Sequence, residues 1–112
     1  MSEPLVVLMT AGSEQEAEQI GEALVKSLLA ACVNVVPGVT SIYRWEGAIQ
    51  RDREWLLIAK TRRDVLDEFI DFVLELHSYD VPEILALPLV GGNEAYLRWL
   101  DREVEGGWHG VN

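Results

Sequence analysis

Apolar positions along the chain change period several times, and each change marks an element. Leu5-Val6-Val7-Leu8-Met9 is a short continuous apolar run, the pattern of a strand buried on both faces. Ser13-Glu14-Gln15-Glu16 has the form of a capping box, with Ser13 as N-cap and Glu16 reaching back to it. Behind it Ala17, Ile20, Gly21, Leu24 and Leu28 recur at helical spacing, while Glu14, Glu18, Glu22 and Lys26 take the other faces. From Ala31 to Trp45 the residues are β-formers, interrupted at Pro37-Gly38, where a proline implies a bulge, a kink or an edge. Glu46-Gly47 supplies a turn, and Ile49 to Lys60 returns as a second long strand, so the pair forms a hairpin. Thr61 can cap a second helix with the stripe Val65, Leu66, Phe69, Ile70, Val73 and Leu76. A strand over Ile84 to Val90 follows. Gly91-Gly92-Asn93 breaks it, and Asn93 can cap a short last helix carrying Tyr96, Leu97, Trp99 and Leu100.

This order predicts an α+β, ferredoxin-like βαββαβ domain with an additional short C-terminal helix, two helices lying on one face of an antiparallel sheet. Residues 1–103 form the single domain and 104–112, rich in glycine, a flexible tail. A sheet with one wet face should alternate polar and apolar residues. Leu5 to Met9, Trp55-Leu56-Leu57-Ile58-Ala59 and Ile84-Leu85-Ala86-Leu87 are instead apolar on both parities. The helices can cover only one face, so the simplest cover for the other is a further copy of the chain.

Charge and cysteine content narrow the function classes. In 112 residues, 9 Lys+Arg face 19 Asp+Glu, for a net charge of -10. Such a surface repels phosphate backbones and anionic lipid, so neither nucleic acid nor membrane is an expected partner. Cys32 is the only cysteine, which rules out an intramolecular disulfide and fits a reduced, cytoplasmic setting. Met1-Ser2-Glu3-Pro4 is neither basic nor followed by a long apolar segment, so no signal peptide or transmembrane helix is expected.

Candidate chemistry gathers at the junction His77-Ser78-Tyr79-Asp80-Val81-Pro82-Glu83, between a helical pattern and a strand. His77 carries an imidazole suited to Zn or Cu, and equally stands where a helix C-terminus needs a cap. Cys32 is a second metal-ligand candidate, or an inert packed thiol. Tyr79 and Trp45 can wall a cleft or pack across a subunit boundary. Lys60 ends an apolar strand, so its ammonium should face a carboxylate, Glu83 being the natural partner, or an anionic ligand. Arg62 stands near the start of a helix, where an anion could be reached. No His-Glu-x-x-His, paired cysteines or Gly-x-Ser-x-Gly occurs, so no enzyme is expected.

Together, Ala30-Ala31-Cys32-Val33-Asn34, the segment Pro37 to Gly47, Lys60-Thr61 and the segment His77 to Pro88 resemble the CutA family of divalent-cation tolerance proteins. The resemblance runs from residue 5 to about 103. It implies a cytoplasmic homotrimer of ferredoxin-like subunits whose long hairpins pair between neighbours, with shared polar residues in clefts at the boundaries. It also implies a role in divalent metal tolerance, with a Cu or Zn ion as the cofactor and His77 as the ligand that carries over, while Cys32 is a metal candidate by its chemistry alone. The trimeric build resembles the PII signalling regulators, so the alternative is a module binding a small anionic metabolite between subunits through Lys60, Arg62 and Tyr79. Trp45 and Glu83 complete the set of ligand-contacting candidates. Where the family usually reads His-Pro-Tyr-Glu, this chain has His77-Ser78-Tyr79-Asp80, and Ser78 should loosen a backbone that proline would fix. Where some bacterial members proposed to bind copper carry a cysteine and two adjacent histidines, this chain has Met9, Leu76 and His77, of which only His77 carries over.

Overall fold

The computed structural model describes residues 2–105. Strand β1 (Pro4–Ala11) leads to helix α1 (Glu14–Lys26), then β2 (Cys32–Trp45) and β3 (Ala48–Arg62) form the hairpin. A 3-10 turn over Arg63–Val65 opens α2 (Leu66–Leu76), and β4 (Ile84–Pro88) and α3 (Glu94–Glu103) complete the order. The sheet runs β2-β3-β1-β4 with every pairing antiparallel, so the expected α+β arrangement is present. No helix among the described residues is long and apolar enough to cross a membrane.

Side-chain alternation divides the sheet into two faces. Leu5, Val7, Met9, Leu57 and Ala59 point to the helices and are sealed by Ala17, Ile20 and Leu24 of α1 and Phe69 and Val73 of α2. The register brings Val6, Lys60, Cys32 and Leu87 into one row on the opposite face, and Leu8, Ile58, Asn34 and Leu85 into the next. That face stays open: Leu85 and Leu87 are 55% and 48% exposed.

Some of the expected local features are present and others are not, and each difference has a partner that explains it. Ser13 accepts the Glu16 amide at 3.1 Å as an N-cap, but the Glu16 carboxylate does not return to it. It is taken by Ser78, as described below. Thr61 does not cap a helix; it is fully buried in β3 and donates to the Leu29 carbonyl at 2.7 Å, so the strand continues to Arg62. Asn93 does cap α3, accepting the Ala95 amide at 2.9 Å. Pro37-Gly38 forms the bulge, interrupting the register between Val36 and Val39, with Gly38 at φ 73°. Glu46 and Gly47 both have positive φ, 49° and 81°, the conformation of a two-residue hairpin turn closed by Trp45 and Ala48. The expected tail begins packed: Val104 is buried and the Glu105 amide donates to Leu28 at 3.1 Å, while 106–112 lie outside the described residues.

β1 ends opposite Trp55, so among the described residues the hairpin beyond that point has no third strand beside it. Residues 39–54 project as a two-stranded ribbon, and such a ribbon is marginal alone in water. Together with the junction 78–83 it lines a cleft.

Candidate functional site

The cleft encloses about 670 Å³ between the ribbon and the junction. Thr10 forms part of its floor. Tyr43, Trp45, Asp52 and Glu54 come from the ribbon, and Tyr79, Asp80, Val81 and Glu83 from the junction. Four carboxylates therefore line it, and no lysine or arginine does. Two of the four are held by phenols: Tyr79 donates to Glu54 at 2.8 Å, and Tyr43 donates to Asp52. Burial, then the bond and charge of Glu54, push the Tyr79 hydroxyl far above its ordinary range. Asp52, by its hydrogen bond, raises Tyr43 in the same sense. Both rings are thus neutral donors. Asp80 and Glu83 make no hydrogen bond or ion pair among the described residues.

His77 builds this wall and does not line it. It caps α2, its amide donating to the Val73 carbonyl at 2.9 Å, and its side chain is wholly buried. One ring nitrogen, Nε2, lies 2.8 Å from the Thr10 carbonyl, and the other accepts the Tyr79 amide at 3.1 Å. A carbonyl only accepts, so Nε2 carries the proton and Nδ1 is the acceptor. Both nitrogens are spent inside the chain. The ring also packs on Tyr79, with centroids 4.7 Å apart, so His77 fixes both the backbone and the ring of the cleft-wall tyrosine.

Ser78 is tied down as well, contrary to the looseness expected of it. Its amide and hydroxyl donate to the two oxygens of Glu16, at 2.8 and 3.0 Å. A proline there could not supply the amide. Burial pushes the Glu16 carboxyl up, but the Ser78 bonds, the neighbouring His77 and the Gly12 amide together hold it below its ordinary value. Gly12 has a second use: a Cβ there would stand 3.0 Å from the Tyr79 hydroxyl oxygen.

Of the four residues expected to contact a ligand, the structure brings Trp45, Tyr79 and Glu83 together and leaves Lys60 apart. The Lys60 ammonium donates to Asn34 and lies 3.8 Å from the Cys32 sulfur. It shares a row with Val6, four residues along β1 from Thr10, roughly 13 Å away at strand spacing. Glu83 is therefore not its partner. Cys32 sits in that same distant row, and the Tyr96 hydroxyl is raised by burial and then by the cysteine. Arg62 is likewise engaged, with Asp64 at 3.0 Å and the Asp101 carbonyl at 2.7 Å. Sequence reasoning missed Gly12, Glu16 and Glu54. Gly12, between a strand and a capping serine, was a readable hint of close approach; the two glutamates matter through contacts distant in sequence.

The whole domain has relatives. A family model described as "CutA1 divalent ion tolerance protein" matches residues 5–103. The chain belongs to the CutA1 divalent ion tolerance family. It is 53% identical over 95 residues to the "Divalent-cation tolerance protein CutA" of Thermus thermophilus, covering 85% of this chain and 92% of that protein. It is 46% identical over 96 residues to "Protein CutA, chloroplastic" of Arabidopsis thaliana, covering 86% of this chain but only 53% of that protein. The chain thus spans about half the length of some relatives and nearly all of others. The solved structure of a Thermus thermophilus divalent cation tolerance protein (Cut A1) aligns with a TM-score of 0.90 at 49% identity, covering 91% of this chain and 99% of that one.

A CutA family name raises the question of a divalent ion. His77 and Cys32 do not fit as its ligands here: the imidazole has no free lone pair, and the thiol lies in a different row of the sheet. Among the described residues no three His, Cys, Asp or Glu side chains converge into a cage. The cleft carboxylates have suitable chemistry but an incomplete arrangement within one chain.

Proposed function

We propose that this chain serves divalent-cation tolerance as a cytoplasmic homotrimer, a binding protein and not an enzyme, taking cations through the oxygen donors of its cleft. The observation that carries this reading is the lining itself, four carboxylates with no cationic side chain among them. Such a concavity concentrates cations and repels the small anionic metabolite that a PII-like module would take. Lys60 and Arg62, which that alternative needs, are engaged elsewhere. Oxygen donors of this kind favour Zn(II) or Cu(II) over Cu(I), with modest affinity.

The trimer is supported by the uncovered side of the sheet. Leu85 and Leu87 on an edge strand, with Ile42 and Ile49 on the unsupported ribbon, leave more apolar surface open than a single small domain tolerates. A neighbouring copy over that face would also supply the donors the cleft lacks.

Isothermal titration of Zn(II) and Cu(II) into the assembled protein tests the reading. Saturable binding in the parent should weaken at least about tenfold in Asp80→Asn/Glu83→Gln, where two charged ligands are lost. Cys32→Ser and His77→Gln should leave it unchanged. Absence of saturable binding in the parent, or loss only on replacing His77, overturns it.

A further inference from the structure

A divalent ion leaves most of the cleft unused. An ion with its first shell of waters fills roughly 200 Å³, at about 30 Å³ per water. The cleft encloses about 670 Å³, the size of an organic ligand's site. Oxygen donors alone would hold an ion, yet three aromatic rings, Tyr43, Trp45 and Tyr79, share the lining. An indole has no lone pair to give a metal. Trp45 is 56% exposed at the end of β2, so packing within the chain does not account for it. The Tyr79 and Tyr43 hydroxyls donate to Glu54 and Asp52, which enriches their rings in electron density and spends the donors that would repel a cation. Asp80 and Glu83 remain without a partner among the described residues, with the apolar Val81 between them on the same lining.

We infer that the cleft binds a linear aliphatic diamine, one ammonium on Asp80 and the other on Glu83, its chain laid against the rings of Trp45, Tyr43 and Tyr79. The run Asp80-Val81-Pro82-Glu83, carboxylates flanking two apolar residues, mirrors the ammonium, methylene, ammonium order of such a ligand. Three residues of backbone span at most about 10 Å, within reach of a short diamine and its two carboxylate partners. Alkyl ammonium groups titrate like a lysine side chain, at about 10.4, so both ends are charged at neutral pH. Each end is drawn by a carboxylate and by a ring face, and indole is the strongest of the aromatic faces for a cation. No lysine or arginine of the lining opposes it. The inference rests on the reading of the cleft as a cation site and names an organic class of cation for its aromatic half. A divalent ion and a diamine would draw on the same two carboxylates, so they compete.

Isothermal titration of putrescine into the full chain, metal-free and then with Zn(II) present, decides it. Saturable binding that Zn(II) weakens is expected, with butylamine, which has a single ammonium, at least about tenfold weaker than putrescine. Trp45→Leu should lower the ratio of putrescine to Zn(II) affinity roughly 3- to 30-fold, and Trp45→Phe should restore most of it. Asp80→Asn/Glu83→Gln should weaken both ligands. Zn(II) binding without putrescine binding overturns the inference and leaves the metal reading standing. Putrescine binding without Zn(II) binding supports the inference and removes the metal reading. Binding of neither removes both. Butylamine as tight as putrescine, or an affinity ratio that Trp45→Leu leaves at the parent value, overturns the inference too.

Discussion

On the helix-covered side of the sheet, Leu5, Val7, Met9, Leu57 and Ala59 are fully enclosed by α1 and α2. On the other side, Val6, Leu8, Leu56 and Ile58 are only partly covered, and Leu85 and Leu87 are about half exposed. The residue types are alike, and the environments are not. The first side is finished by folding; the second has apolar composition without cover, which is what an interface looks like before assembly. Charge repeats the contrast. Thr10 and Tyr79 satisfy both ring nitrogens of His77 within the chain, whereas Asp80 and Glu83 of the cleft have no hydrogen-bond or ion-pair partner among the described residues. Residues spent on the fold and residues left for a partner can therefore be told apart by their bonds.

Substitutions on the two sides should break different things. Phe69→Ala, on the finished side, should cost about 3–5 kcal/mol of unfolding free energy, because a fully buried aromatic leaves a cavity. Urea denaturation measures it. His77→Ala should come next, at about 2–4 kcal/mol, since it strands the Thr10 carbonyl and the Tyr79 amide. The same titration should show it, with cation stoichiometry unchanged. Ile58→Asp, on the open side, should weaken association by about 2–3 kcal/mol per copy or more while the chain's far-UV circular dichroism is kept. An unfolded Ile58→Asp chain would erase the distinction between the sides.

The smallest effect concerns acid. Glu16 has a folded pKa below its unfolded value of 4.5, so its contribution is complete above about that pH and is lost as pH falls through the folded value. Glu16→Gln should flatten the stability profile in that acid range and leave its slope near neutrality untouched. Denaturant midpoints measured across the acid range would check it.

Much of the fold was legible because periodicity and turn chemistry act locally. The strands, the Ser13 and Asn93 caps, the Pro37-Gly38 bulge and the Glu46-Gly47 turn each depend on residues within a few positions of one another. The cleft was half legible. Trp45, Tyr79 and Glu83 stand at element ends and do meet, but the sheet register that sends Lys60 to the far row cannot be read from composition. His77 misled for a physical reason: an imidazole suited to a metal is equally suited to bonding two backbone groups, and only tertiary contacts decide between them. Glu16 shows the same ambiguity, having the spacing of a capping box and a better-placed donor pair at Ser78.

An interface between copies on the open side fixes the mass of the protein in solution. Sedimentation equilibrium of the parent protein at low micromolar concentration measures this directly. A trimer closed over that side gives a single species of three times the 12.6 kDa chain mass, and a species of 12.6 kDa alone would contradict it.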